Sequence, residues 1–315
     1  MKTLLTTVLL SIATTCAAQT TPGKLSFALA QHPGKLSLDQ GSFRISELSV
    51  KSDGRAFTIH AEDGDLHLVG SLFIWQEMPT LTAITCRDEM LKSEGPASLA
   101  AAKDRSLLKS TSGADIALAS GSSAVRAFVA SGNLCADLNF STRQPVPMQK
   151  VKAILQTLTF DPVAKPTFSD AFEYATVAFD HDDLVGAVHA YRAALALVDS
   201  SDEPLKWRRV ATDQLAMALG MEGDLSTSRT VNYAAIKRDP DYPIYYYSLA
   251  CADGEEGNAA DAKTHLQQAF DRRANVLPGE SMPDPATDDS FRQLMENDPT
   301  FPEFVKTLTA SPSKP

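Results

Sequence analysis

The sequence predicts an α+β chain: an N-terminal antiparallel sheet domain with a few helices, followed by an all-α superhelical array. Three observations carry this expectation. Apolar residues alternate in the strand period from residue 24 to about 145. Alanine-rich helical periodicity sets in after Pro162 and Pro166. One spacing of small and bulky residues then recurs three times along the second half.

The alternation begins with Leu25, Phe27 and Leu29, turns at His32-Pro33-Gly34, and continues through Leu36, Leu38, Phe43, Ile45, Leu48 and Val50. Asp53-Gly54 and Asp63-Gly64 read as hairpin turns, because glycine tolerates the positive φ of a tight turn. Phe57 to Ala61 and Leu66 to Trp75 flank the second turn, and Leu81 to Cys86 reads as a further strand. Ser98 to Ser110 reads as a helix with Leu99, Leu107 and Leu108 as its apolar positions. Ile116–Leu118, Val125–Ala130 and Leu134–Phe140 supply the closing strands. Met148 to Leu158 places Val151, Ile154 and Leu155 on one helical face, suited to lying on the sheet. This order of hairpins, mid-domain helix and final helix resembles the Mog1/PsbP-like group of small α+β domains.

In the second half Ala187, Tyr191 and Ala194 stand at i, i+4 and i+7, and Ala262, Leu266 and Ala269 repeat that spacing. Ser228, Asn232 and Ala235 form a degenerate copy between them, 34 residues before the last and 41 after the first. Ala175, Ala216 and Ala250 each lie twelve residues before one of these sets. Small residues there let paired helices approach, and Pro240 stops one unit and starts the next. These residues resemble the tetratricopeptide repeat family, which makes the expected array tetratricopeptide-like. Tyr247-Ser248-Leu249-Ala250-Cys251, Gly257-Asn258, Ala262 to Ala269 and the Asp298-Pro299-Thr300-Phe301 step resemble the end-of-group form of that repeat.

The resemblance implies a concave face lined by the first helix of each unit, where partners bind. Phe172, Thr176 and Phe179, then Asp213 and Met217, then Tyr247 are the inward candidates. Tyr245, Tyr246 and Tyr247 point about 100° apart on a helix, so at least one is expected to be exposed and available to a partner. The Lys, Arg and Asn of the family's carboxylate-clamp version are absent from the matching positions, so capture of a peptide's C-terminal carboxylate is not implied. The expected organisation is a signal peptide over 1–18, a β-rich domain over 24–161, helical repeats over 167–275, a closing helical segment over 276–309 and a disordered tail over 310–315.

Lys2, the short apolar run Leu4 to Ile12 and Cys16-Ala17-Ala18 form a cleavable export signal, too short to span a bilayer. The chain is therefore expected to be exported, periplasmic or extracellular. Lipid anchoring through Cys16 is the lesser reading, because Ala13 and Thr15 stand where such signals usually carry Leu and a smaller residue. Export permits disulfides. Cys86 and Cys135 sit in the β-rich half and are the expected pair, with two free buried thiols as the alternative; Cys251 sits in a repeat helix.

A net charge of −10 lacks the basic footprint that nucleic acid requires. No later stretch is long and apolar enough for a stable membrane span. No GxSxG elbow surrounds the serines of Ser120-Gly121-Ser122-Ser123. A two-residue turn at Asp63-Gly64 sets His60 opposite His67, the single weak metal candidate; no cofactor is implied. Asp180-His181-Asp182-Asp183 falls at a turn between helices and reads as solvated. The expected function is a non-enzymatic interaction module or scaffold that docks an envelope protein or peptide, with Phe172, Thr176, Asp213, Tyr246 and Tyr247 as contact candidates. The alternatives are a small-ligand or lipid-binding protein, or a metal-dependent enzyme, with its site in the N-terminal domain.

Overall fold

A computed structural model describes residues 23–50, 55–76, 78, 80–102 and 104–310. The expected signal peptide with Cys16, the Asp53-Gly54 turn and residues 311–315 lie outside the described residues. Contacts divide the chain into two compact units, Ala18–Ala194 and, for the second half, Leu195–Pro315.

The first unit contains β1 (Lys24–Ala28), β2 (Lys35–Asp39), β3 (Arg44–Val50), β4 (Ala56–Asp63), β5 (Leu66–Ile74), α1 (Ala83–Ser93), α2 (Pro96–Ala101), β6 (Asp104–Lys109), β7 (Asp115–Ser120), β8 (Ala124–Ser131), β9 (Leu134–Ser141), α3 (Met148–Gln156), β10 (Thr159–Asp161), α4 (Phe168–Asp180) and α5 (Leu184–Leu197), the last reaching the boundary. A three-stranded sheet runs β1-β2-β10 and a seven-stranded sheet runs β3-β4-β5-β9-β8-β7-β6. Among the described residues the strands of both sheets pair antiparallel, as the hairpin signals predict. The sheets meet through Phe27, whose ring lies so close to Gly70 that a Cβ there would sit 2.6 Å from Phe27 Cζ. Gly70 is thus required by close approach and not by its φ. Val151 and Leu155 of α3 are buried, and that helix packs on β2.

Two expected elements differ. Leu81 to Cys86 is not a strand: Leu81 makes a single bridge to Gly132, and Thr82 begins α1 with a reciprocal capping box to Thr85. That local satisfaction of the first N–H groups outweighs the β-prone run of Ile and Thr. Ser98 to Ser110 is not one helix either. It splits into the end of α2 and the edge strand β6, where Leu107 is 62% exposed. A short edge strand carrying Arg105 and Lys109 is a form that resists further pairing.

α4 starts at a Thr167–Asp170 capping box and packs against β3. The Tyr174 hydroxyl donates to the Ala56 carbonyl at 3.4 Å, and its ring lies 6.1 Å from Phe57. The first helical pair therefore belongs with the sheets.

The second unit is helical: α6 (Pro204–Glu222), α7 (Leu225–Arg238), α8 (Pro243–Glu255), α9 (Ala259–Asp271), α10 (Arg292–Asn297) and α11 (Thr300–Ala310). The α6–α7 and α8–α9 pairs are two of the three hairpins that the spacing predicts, α4–α5 being the other. Pro204 and Pro243 occupy first turns, and Gly223 ends α6 in the left-handed region at φ 93°. The degenerate copy packs as its regular counterparts do. Ser228 donates to the Ala216 carbonyl at 2.8 Å, and Asn232, fully buried, donates to the Ser228 carbonyl at 3.2 Å. Around Ala250, Ala262, Leu266 and Ala269 the closing residues Phe291, Leu294, Phe301, Val305 and Leu308 complete a core. α11 runs through Ala310, one residue past the expected end of the closing segment at 309. No helix among the described residues is long and apolar enough to cross a membrane.

Candidate interaction site on the helical hairpins

In the second unit α6 and α8 present a shared face, and the chain itself lies on it. After the 3₁₀ turn Arg273–Asn275 the backbone runs without helix or strand through 276–288 before the 3₁₀ turn Asp289–Phe291. Pro278, Pro283 and Pro285 deny this stretch the regular N–H pattern of a helix. Tyr242, fully buried at the start of α8, donates its hydroxyl to Glu280 Oε1 at 2.7 Å, and Glu280 Oε2 accepts from the Leu277 N–H at 2.8 Å. Tyr247 donates to Asp288 Oδ2 at 2.9 Å, and the Cys251 thiol reaches the same oxygen at 3.8 Å. Met282, Val276 and Leu277 pack from this stretch onto the cluster of Ala235, Tyr242, Ile244 and Tyr245.

Behind these contacts the Tyr242 ring meets Tyr245 edge-on at 4.9 Å and the Arg209 guanidinium at 4.7 Å. Arg209 is held in turn by a two-point pair with Asp239 at 2.7 and 3.0 Å. Burial pushes the Tyr242 and Tyr247 phenols far above their ordinary range, so both act as neutral donors. Burial likewise raises the Cys251 thiol well above its usual value, which makes it packing and not a nucleophile.

Asp213 of α6 accepts from the Ser248 hydroxyl at 3.0 Å. Burial first, and the nearby Glu280 carboxylate second, push its carboxyl up to about 7 against the opposing pull of Ser248. The folded protein therefore holds a proton that the unfolded chain, with the ordinary value of 3.8, releases. Stability from this site is complete below that ordinary value and is lost as pH rises to about 7. Asp213→Asn removes the penalty. It should raise stability at pH 8 by about 1–2 kcal/mol and have no such benefit at pH 4. Urea titrations of both proteins at the two pH values check this, and an equal effect at both would remove Asp213 as the cause.

The sequence-predicted residues divide. Asp213, Tyr246 and Tyr247 lie in the second unit, Phe172 and Thr176 in the first. Tyr245, Tyr246 and Tyr247 are 1%, 7% and 3% exposed, which corrects the expectation that one of them is free to meet a partner. Three different coverings account for it: Tyr245 meets the Ala235 cluster, Tyr246 joins the core with Phe270, and Tyr247 lies against Phe291 and Asp288. Tyr246 also donates to the Pro240 carbonyl at 2.9 Å beneath the Arg272 guanidinium. Phe172 is buried between Phe168 and Tyr191 at 5.4 and 5.7 Å, and half-buried Thr176 returns its hydroxyl to the Phe172 carbonyl. Phe179 is buried as well, and Met217 is half-buried.

His60 does not oppose His67. Asp63 pairs with Leu66, so Gly64 and Asp65 form the turn, and His60 faces Val69 while His67 faces Glu62. His67 sits 3.4 Å from Glu62 with both largely exposed, on the wet side of the hairpin. No group of three or more His, Cys, Asp or Glu among the described residues is arranged to hold a metal ion. Asp180 to Asp183 forms the turn between α4 and α5, where Asp183 accepts from the Gly186 N–H. Cys86 and Cys135 are bonded, with Cα atoms 6.2 Å apart.

Glu280, Asp288 and Tyr242 escaped the sequence reading. Their signal was present only as an unusually Pro-rich, acidic link after a Tyr-rich helix. A second polar feature, the buried Asp253, is clamped by Arg229 and by His265 at 2.6 Å and ties α7, α8 and α9 together.

No protein-family model and no curated protein matches the chain. Among solved structures the chain is similar to the Sgt2 TPR domain from Aspergillus fumigatus, at 15% identity over 48% of this chain and 89% of that one, with a TM-score of 0.33. It is also similar to the C-terminal TPR-containing domain of a Plasmodium falciparum FK506-binding protein, at 17% identity over 45% and 89%, with a TM-score of 0.30. A Bacteroides thetaiotaomicron protein matches at 10% identity over 61% and 79%, with a TM-score of 0.24.

Proposed function

We propose that this chain is a non-enzymatic, exported interaction protein whose α6/α8 face holds an extended peptide segment of an envelope partner. The observation that carries the reading is that this face already holds such a segment, 276–288, through side-chain hydrogen bonds and partial apolar burial. A surface that binds irregular backbone in this way has the chemistry of a peptide groove. The likeness of the second half to end-of-group tetratricopeptide repeats agrees with it, and the Mog1/PsbP-like likeness of the sheets adds no activity of its own. The N-terminal Lys2 to Ala18 pattern and the Cys86–Cys135 bridge support export. The metal-enzyme alternative loses its footing with His60 and His67 on a wet hairpin face.

A photo-crosslinking amino acid in place of Ser248 tests the reading. In the isolated protein it should couple within the chain. In the native envelope a discrete intermolecular product should appear, and Asp213→Arg should abolish it. Intramolecular product alone under every condition would sink the proposal.

A further inference from the structure

The stretch 276–288 has the features of a bound ligand more than those of a packed element. Its two anchors, Glu280 and Asp288, stand eight residues apart and meet Tyr242 and Tyr247 at 2.7 and 2.9 Å. Between them Ser281 and Asp284 are exposed and Met282 is half-buried; Pro285 alone is buried. The residues that follow behave differently. Phe291, Leu294, Phe301, Val305 and Leu308 are all buried in the core around Ala250 and Leu266. The acceptors Glu280 and Asp288 are only half-buried, so water can take over the bonds they accept more readily than it can replace the packing of buried aromatic and aliphatic side chains. The stretch can therefore leave its face while the closing helices stay docked.

The anchoring chemistry is specific. The donors are two phenols and a thiol, all neutral, in place of Lys or Arg. Neutral donors in a partly dry groove select acceptors by position, and carboxylates make the stronger bonds to them.

Resting on the peptide-groove reading above, we propose that 276–288 is a displaceable strap, and that the partner supplies an extended, proline-interrupted acidic segment that takes its place on Tyr242 and Tyr247. The strap holds the groove closed until such a segment competes it off. Its effective local concentration is high, so a free competitor sees a weakened apparent affinity until the anchors are cut.

Full-length protein and a fluorescein-labelled peptide of residues 276–288 test this. In the unaltered protein, the hydrogen-bonded amides of Leu277, Glu280 and Thr287 should exchange at least about tenfold faster than the amides of α8, the signature of local opening. Glu280→Ala with Asp288→Ala, which leaves the face intact, should bind the peptide at least about tenfold tighter than the parent by anisotropy, because the internal competitor is gone. Adding Tyr242→Phe and Tyr247→Phe should erase that gain, and a scrambled peptide should not bind. If 276–288 exchanges only together with α8, the strap is a fixed part of the core and the displacement proposal fails, while the groove reading stands. If the strap opens in the double variant and the peptide still does not bind, the groove reading fails and takes the proposal with it. The exchange measurement needs no variant, so a misfolded double variant still leaves a decisive result.

Discussion

Phe291→Ala is expected to cost the second unit about 3–5 kcal/mol, the range for deleting a fully buried aromatic ring. Phe291 has no exposed surface; its ring lies 5.9 Å from Tyr247 edge-on and 5.8 Å from Phe301. The backbone is fitted to it. A Cβ on Gly254 would sit 2.9 Å from Phe291 Cδ1 and 2.4 Å from the Ser290 carbonyl oxygen, so α8 carries glycine where the closing segment crosses. Because a carbonyl cannot rotate away as a side chain can, the site has little capacity to collapse into the vacated space, which places the loss toward the upper end. The chain has two tryptophans, Trp75 among the sheets and Trp207 in α6. In a Trp75→Phe background, Trp207 fluorescence during urea unfolding reads the second unit. The midpoint should fall steeply for Phe291→Ala and by about 1 kcal/mol for the volume-sparing Phe291→Leu. A loss below about 1 kcal/mol for the alanine would mean that α10 and α11 are not part of the cooperative core. The same result bears on the strap, since Phe291 is what tethers its C-terminal end when Glu280 and Asp288 let go.

The helices of the second half were legible because their information is local. Ala216 against Ser228, and Ala250 against Ala262, mark where helices touch, and Pro204, Gly223, Pro240 and Pro243 mark where they stop and start. Much of the sheet was legible for the same reason, since Leu36 and Leu38, or Leu66 and Leu68, alternate with polar neighbours into a buried face. The errors came where a non-local or single-residue effect decided. One residue of turn placement, Gly64–Asp65 in place of Asp63–Gly64, moved His67 from His60 to Glu62. Thr82 and Thr85 looked β-prone and instead capped a helix. The three tyrosines misled because helical geometry says where side chains point and not what lies there. The strap that covers Tyr247 has no periodicity, so nothing in its own residues announces that Glu280 and Asp288 return to α8.

The second large effect is expected in the first unit. Cys86→Ala with Cys135→Ala should lower its stability by about 4 kcal/mol, since the bridge closes a loop 49 residues long in sequence and chain entropy scales with the logarithm of that length. The location sharpens the expectation. Cys86 on α1 and Cys135 on β9 lie within one cluster with Leu81, Leu91, Ala117 and Phe128. Buried Ala83 and Leu91, and Arg87 donating to the Leu118 carbonyl at 3.3 Å, dock α1 on the same sheet, so the bridge reinforces a packed face and its loss is read as destabilisation of that face. Trp75 packs on that cluster and reports it, with Trp207→Phe removing the other signal. In urea, the parent treated with reductant should match the double variant, and reductant should leave the variant unchanged. A parent insensitive to reductant, or one whose denatured form exposes the Cys86 and Cys135 thiols to alkylation, would show that the bridge does not form. A parent that loses α1 docking under reductant would instead tie correct folding to an oxidising compartment. Export would then be a condition of the fold as well as an address.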